Sequence, residues 1–302
     1  MRPRGLTEST LYQYCDRAPS GALCRVTARW ATAEVRLSRP ARLSLARPGR
    51  RCVPPVPTLH GVTPDTPLVP SVGQAVLHLF CHIPTGGGSG PGFDAEVVRQ
   101  AVKSAQADGY QVVPAALLGH KADLGLMALG PDLWRLRTFQ SEVQASGAVP
   151  VASYVSLTEI SEYAAGVPEE MRQARLFPQL PPEGKSAFCF YPMSKRRSAT
   201  HNWYSLDFES RKELMMGHGK VGRTFHGRVL QVITGSTGLD DFEWGVTLFG
   251  VHPDDLKDCV YEMRFDEASA HYAEFGPFYA GMVGDLDAVL AALGHGAPGG
   301  SV

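Results

Sequence analysis

From about residue 74 the chain alternates short apolar runs with stretches of helical period. Gln74–His82 is an almost unbroken apolar run of strand length, and Asp94 then caps a stretch with Val97, Val98, Ala101, Val102 and Ala105 on one face. Tyr110–Leu118 and Ala122–Leu129 are apolar runs divided by a Gly-His-Lys turn, which predicts a hairpin. Pro131 opens a second helix carrying Leu133, Leu136 and Val143, and Val149–Leu157 returns as a strand. The order is β-α-β-β-α-β. It recurs with a strand at Ser186–Tyr191, a helix at Asp207–Val221 and strands at Gly227–Thr234 and Phe242–Phe249. A helix opened by Pro253 with Leu256, Val260 and Met263 on one face follows, then a last strand at Phe275–Ala280. Two such units predict an α+β fold of two ferredoxin-like halves, about 71–157 and 185–285, whose antiparallel sheets curl into one barrel. Residues 158–185, with Pro168, Pro178, Pro181 and Pro182, link the halves.

Residues 1–70 have no such period. Ten of the 23 prolines lie there and break any long element. The segment holds 11 Arg and no Lys against four acidic residues, a net of +7, while the remainder holds 18 basic and 26 acidic residues, a net of −8. The overall charge of −1 is therefore the sum of a basic extension and an acidic domain. With few apolar clusters to offset ordering entropy, 1–70 is expected to be a disordered extension or an upstream stretch that is not translated. Its Arg-rich, acid-poor character also suits a transit peptide or a nucleic-acid arm. Residues 71–292 form the folded domain, and 293–302 a flexible end.

The hydrophobic share of 44% allows a sizeable core. No stretch approaches the roughly 20 apolar residues of a membrane span. The six cysteines form no CxxC pair and no zinc-like Cys/His spacing. Cys81, Cys189 and Cys259 fall inside apolar runs, which suits reduced, buried thiols and a cytoplasmic setting. Gly86–Gly90 lacks the Lys-Ser/Thr ending of a phosphate loop and reads as a plain loop.

Two places carry candidate chemistry. Tyr191-Pro192-Met193-Ser194-Lys195-Arg196-Arg197 closes an apolar strand with a phenol and then presents three cations. Pro192 is expected to stop the strand and place the cations on a loop. They form either a solvated basic turn or a site for a multiply anionic ligand beside an acid/base or redox Tyr. His218 lies on the helix face of Leu214 and Met215, flanked by Gly217 and Gly219. It is either a core His or an iron or metal ligand presented by a helix, the glycines admitting something flat. Asp240-Asp241 and Asp266-Glu267 cap turns and helices or orient His218. Gln231 is a polar residue amid Val229, Leu230, Val232 and Ile233, either a surface Gln or a cavity donor.

These residues, with Gly119-His120-Lys121-Ala122-Asp123-Leu124, Asn202-Trp203-Tyr204, Gly222-Arg223, Gly238-Leu239-Asp240-Asp241, Glu243-Trp244-Gly245-Val246 and Met263 through Ala270, resemble the chlorite dismutase-like superfamily. Within it they look like the coproheme decarboxylase branch, of the firmicute, Thermus and Deinococcus type, over about residues 72–292. The resemblance implies a dimeric α+β barrel assembled as a homopentamer, with possible transient contact to a coproporphyrin ferrochelatase and no nucleic-acid partner. It implies that hydrogen peroxide drives decarboxylation of iron coproporphyrin III (coproheme), both substrate and redox cofactor, to haem b. By the same resemblance His218 matches the proximal iron ligand, Tyr191 the radical-forming Tyr and Lys195 a proton donor or acceptor. Met193 lines the same wall, Arg175 matches a propionate-binding Arg, and Trp203 and Arg223 also belong to the substrate site. Gln231 stands where chlorite dismutases carry Arg, which argues against chlorite as substrate. The alternatives are a non-catalytic haem carrier or sensor of the same fold, and chlorite dismutation.

Overall fold

The computed structural model describes residues 66–84, 92–164 and 166–296. The basic segment through residue 65, the glycine-rich loop and the last six residues, on which the expectations for the tail, loop and C-terminus chiefly fall, lie outside the described residues.

The first half runs β1 (Ala75–His82), α1 (Ala95–Ala107), β2 (Gln111–Leu117), β3 (Leu124–Gly130), α2 (Leu133–Ala145) and β4 (Val149–Thr158). The second runs β5 (Ala187–Lys195), α4 (Phe208–Arg223), β6 (Val229–Gly235), β7 (Trp244–Gly250), α5 (Pro253–Met263), α6 (Glu267–Tyr272), β8 (Ala273–Phe275) and β9 (Tyr279–Val283). A short α3 (Glu169–Leu176) lies in the linker and α7 (Leu286–Ala292) follows β9. Helix starts follow the sequence closely. The carboxylates of Asp94, Asp132 and Asp207 accept backbone N–H bonds at the starts of α1, α2 and α4, satisfying donors that have no partner within the helix.

Each half is an antiparallel four-stranded sheet of the same order, β4-β1-β3-β2 and β9-β5-β7-β6. Narrow seams join them: β4 pairs β6 through Leu157–Gly235 and Thr158–Thr234, and β2 pairs β9 through Ala115–Val283 to Leu117–Gly281. At the second seam a Cβ on Gly281 would lie 2.1 Å from the Ala116 carbonyl oxygen, so only glycine permits this approach. The closed sheet explains why strands such as β1 are apolar on both faces instead of alternating. Ala75, Leu77, Leu79 and Cys81 face α1 and α2, whereas Val76 and Phe80 face the barrel interior with Met127, Tyr154, Phe188, Phe190 and Phe249. His78 is buried with its Nε2 3.0 Å from Thr247 Oγ1 and its ring against Phe190, and burial lowers its pKa to about 3, so it is neutral. A third cluster, under α5, includes Cys189, Tyr191, Val246, Leu248 and Cys259.

Two expectations need correction. Pro192 does not stop β5, which continues through Met193 and Ser194 to Lys195. Pairing of β5 with β9 ends at Phe190, pairing with β8 begins at Met193, and Pro192 sits at this changeover, where no ladder N–H is required of it. Its carbonyl oxygen still accepts from Gly276 N–H at 2.8 Å. Lys195 is therefore a buried strand residue, and the loop begins only at Arg196. The single last strand at Phe275–Ala280 is instead two, β8 and β9, on either side of Gly276–Phe278. A Cβ at Gly276 would lie 2.6 Å from Phe242 and 2.7 Å from Pro192, so the chain can turn there only without a side chain. Packing also extends past α7, with the His295 ring edge-on to Phe93.

The folded unit reaches slightly upstream of Ser71. Leu68 N–H donates to Asp132 Oδ1 at 2.8 Å, and Leu68 carbonyl oxygen accepts from Leu133 N–H at 3.0 Å. A chain starting at Ser71 is expected to fold, and to melt about 2–8 °C below one starting at Thr66, because these two exposed bonds are worth roughly 1 kcal/mol each. Equal melting midpoints in calorimetry would show that the clasp contributes nothing.

Candidate functional site

α4 lies over the outer face of the second sheet yet buries none of its residues. Between it and the sheet is a cleft. His218 contributes from α4, while Tyr191, Met193, Gln231, Ile233 and Val246 contribute from β5, β6 and β7. Val260 and Met263 of α5, Ser269 of α6 and Phe275 of β8 complete the lining. The strand period of two puts Tyr191, Met193 and Lys195 on one face of β5, and Val229, Gln231 and Ile233 on one face of β6.

His218 is held from behind. Its Nδ1 is 3.0 Å from Asp266 Oδ2, with Ser269 Oγ at 3.4 Å. Asp266 is the N-cap of α6 and its other oxygen accepts from Ser269 N–H, so the carboxylate is itself fixed. Burial raises the Asp266 pKa, but the hydrogen bond and charge of His218 and the Ser269 contacts outweigh it, and the carboxyl stays below its usual range. With Nδ1 engaged as a donor, Nε2 is the nitrogen left to bind something in the cleft. Glycines flank His218 at 217 and 219 and recur one turn on at 222. A Cβ on Gly217 would meet nothing within 4 Å, and one on Gly222, a turn after His218, would come within 3.4 Å of Gln231 Nε2.

Tyr191 is 7% exposed and packs against Phe278, its ring centroid 4.5 Å away. Burial pushes its phenol pKa well up, so it is neutral at physiological pH and must surrender its proton if it is oxidised. Gln231 Nε2 is 3.6 Å from Cys259 Sγ and 3.9 Å from Met263 Sδ, weak partners that leave it available to the cleft.

Lys195 lies beyond the cleft lining. Its Nζ sits 4.2 Å from the ring centroid of buried Trp203 and 3.4 Å from the Ala268 carbonyl oxygen. Burial pulls its pKa down to about 8, against the opposing charges of Asp266 and Glu243. Glu243, buried, accepts the Lys195 backbone N–H at 2.7 Å and so ties down the strand end that carries it. Arg175, at the end of α3, and Arg223, in the last turn of α4, are both exposed and line neither this cleft nor the groove beside it. That open groove shares Ser269 and Phe275 with the cleft and carries Arg196 and Arg264. Sequence reading left Arg264 and Ser269 without individual roles. Their only signal was position, Arg264 on the short α5–α6 connection that also supplies Asp266 and Ser269 in the first turn of α6.

The lining fits a flat, mainly apolar metallomacrocycle with anionic arms. An imidazole fixed by a carboxylate faces an apolar slot edged by glycines, and arginines stand at its mouth. His218, Gln231 and Met193 are the residues that would contact such a group.

The sequence profile of the family described as chlorite dismutase matches residues 94–284. The chain belongs to the chlorite dismutase family. Within that family it is 48% identical over 177 residues to a coproheme decarboxylase of Staphylococcus saprophyticus, a match covering 55% of this chain and 70% of that protein. A solved heme-binding protein from Thermus thermophilus superposes with a TM-score of 0.66 at 35% identity, covering 77% of this chain and 99% of the other. The chlorite dismutase of Candidatus Nitrospira defluvii, here as a mutant with lysine in place of one arginine, superposes with a TM-score of 0.58 at 20% identity over 74% of this chain and 96% of the other, and shows the shared fold.

Proposed function

We propose that this chlorite dismutase family member is a coproheme decarboxylase, converting iron coproporphyrin III to haem b at the expense of hydrogen peroxide. The observation that carries this reading is the pairing across one cleft of a carboxylate-anchored His218 with an oxidisable, buried Tyr191. The identity to coproheme decarboxylases of Staphylococcus saprophyticus and Staphylococcus carnosus, at 48% and 46%, supports it. Gln231 in place of a cationic distal side chain favours peroxide over chlorite, because a neutral amide offers no charge to hold a reactive oxyanion.

Each propionate that becomes a vinyl group loses carbon dioxide, one proton and two electrons. Peroxide accepts two electrons and two protons to become two waters, so each turn consumes one net proton. Iron held by His218 supplies the activation of peroxide. The chain does the rest. Tyr191 gives up an electron and its phenolic proton, then regains a hydrogen atom from the propionate side chain, whose carbon radical gives its remaining electron to the second oxidising equivalent of the peroxide as carbon dioxide leaves and the vinyl group forms. Arg264 and Arg196 suit the carboxylates of the arms, and Met193 and Val246 pack the macrocycle. Lys195, with a pKa of about 8, is charged at neutral pH and close enough to losing its proton to deliver one. A homopentamer and transient contact with a coproporphyrin ferrochelatase in the cytoplasm fit the same reading. Among the described residues, no helix is long and apolar enough to cross a membrane.

The decisive experiment loads the protein with iron coproporphyrin III, titrates peroxide and follows product mass. Loss of one and then two carboxyl groups is expected. A porphyrin retained at its starting mass would mark a carrier instead. The pH profile gives a second check. Lys195 is protonated below about 8, so turnover limited by its proton falls as pH rises through that value. Lys195→Met should remove this limb of the profile, and a limb that persists in the variant excludes Lys195 as its source.

A further inference from the structure

Lys195 makes a contact that proton delivery does not require. Its ammonium lies over the face of Trp203, 4.2 Å from the ring centroid, with both residues buried at 6% and 3% exposure. Trp203 is the inner end of a set of touching rings. It meets Tyr272 edge-on at 5.4 Å and Tyr163 at 6.4 Å, and Tyr163 stacks on Phe208 at 5.7 Å. Tyr272 in turn lies 6.0 Å from the ring of His201, which stacks on His271 at 5.1 Å. Phe208 and His271 are exposed, so two contact paths lead from Trp203 to solvent. Tyr191 is four residues before Lys195 on the same face of β5, roughly 13 Å along an extended strand. Electrons tunnel between aromatic redox groups in proteins over such separations.

A neutral indole attracts an ammonium through its negative face. Once it has lost an electron, the ring is a cation, and the same ammonium opposes it. Burial removes the solvent and salt that would screen that opposition. We propose that Lys195 is an electrostatic gate: its charge over Trp203 keeps an oxidising equivalent on Tyr191 and off the ring paths to the surface. The proposal rests on the peroxide-dependent function for its oxidant. On the productive route one electron and the phenolic proton leave Tyr191, a hydrogen atom from the propionate side chain restores the phenol, and the substrate radical loses carbon dioxide and its second electron to the other oxidising equivalent of the peroxide. On the route that the gate opposes, the electron leaves Trp203, the indole nitrogen releases its proton, and one of the peroxide's two oxidising equivalents is spent while the substrate keeps its hydrogen.

The gate can be tested in the porphyrin-free protein. Flash photolysis with ruthenium tris-bipyridyl and persulfate generates a one-electron oxidant, and peptide mapping then measures oxygen addition at Trp203 relative to Trp134 and Trp244. Lys195→Met is expected to raise the relative Trp203 yield by about tenfold or more, the scale on which a unit charge this close biases a buried equilibrium. Lys195→Arg is expected to keep it at the wild-type level. An unchanged yield in Lys195→Met overturns the gate. So does an equal rise in both variants, which would report lost packing and not lost charge. Unchanged yields at Trp134 and Trp244 verify the fold. In the second arm, protein loaded with iron coproporphyrin III is freeze-quenched after peroxide and examined by electron paramagnetic resonance with ring-deuterated Trp. A deuterium-sensitive indole radical in Lys195→Met, absent from Lys195→Met/Trp203→Phe, supports the gate in turnover. A tyrosyl radical alone in Lys195→Met overturns it there. Absence of any protein radical in the wild type counts against the proposed function, and the porphyrin-free yields then decide the gate by themselves.

Discussion

Tyr191→Phe is expected to bind iron coproporphyrin III as the parent protein does, yet to lose at least ~10²-fold in decarboxylation, the scale on which removal of a positioned proton-transferring group acts. The substitution removes one oxygen and leaves the ring, so stacking on Phe278 and the edge contact with Phe275, at 5.6 Å, survive. What goes is the O–H bond that can be broken and remade. Burial has already fixed the phenol in its neutral form, so in the parent protein electron and proton must leave together. Phenylalanine has no proton to give up in that way and is far harder to oxidise. Stability should change little, since no hydrogen bond of the Tyr191 hydroxyl is found among the described residues. The check is twofold: porphyrin affinity by absorbance titration, and product mass after peroxide. Unimpaired turnover in the variant would remove Tyr191 from the reaction.

The first half of the fold was almost fully legible because its signals are local. Runs of apolar residues of strand length, Asp caps at the starts of α1 and α2 and the Gly-His-Lys turn each decide a structure within a few residues. The second half departs where distant partners decide. Pro192 looks like a strand terminator from its own chemistry, but β5 changes neighbours at that residue, and the change is visible only once β8 and β9 are in place. The correction moves Lys195 from a loop into a buried site, where desolvation lowers its pKa. The short α3 and α6 were missed for another reason. One is mostly polar and the other spans six residues, so neither builds an apolar stripe long enough to see.

The site was legible in its parts and not in its connections. Tyr191, Lys195 and His218 were singled out by residue type, and the glycines around His218 pointed to a close approach, but the single strand face that carries Tyr191, Met193 and Lys195 emerged only with β5 continuing past Pro192. Asp266, expected either to cap a helix or to orient His218, does both, reaching His218 across 48 positions of sequence, whereas the seating of Lys195 on Trp203 has no local signature. Arg175 and Arg223, carried into the site by resemblance, stand outside the cleft, while Arg264 and Arg196 stand at its mouth.

His218→Ala should abolish axial ligation of the porphyrin iron and, with it, peroxide-dependent turnover. Its effect on iron-porphyrin affinity should exceed the ~10–100-fold that loss of an outer hydrogen-bond partner typically causes. Asp266→Asn serves as the graded comparison. The amide still caps α6 through its side-chain oxygen, but it no longer places a full negative charge against Nδ1, so the imidazole becomes a weaker donor without being lost. The two variants should therefore rank in order, with a shifted iron–imidazole stretch in Asp266→Asn and none in His218→Ala. The fold should survive both changes. His218 is only partly buried and α4 has no buried residue, so truncating one side chain there leaves the core intact. Removing His218 does leave Asp266 without its main partner. Its pKa, now held down chiefly by that hydrogen bond, should rise as burial takes over, so the variant is destabilised most near neutral pH and lacks the acid-side loss of stability that the parent shows as pH falls through the depressed carboxyl pKa. Resonance Raman of the ferrous porphyrin complex and acid unfolding of the porphyrin-free protein read these two consequences separately. An unchanged iron–ligand spectrum in His218→Ala would exclude this helix as the source of the ligand, because among the cleft-lining residues His218 carries the sole imidazole.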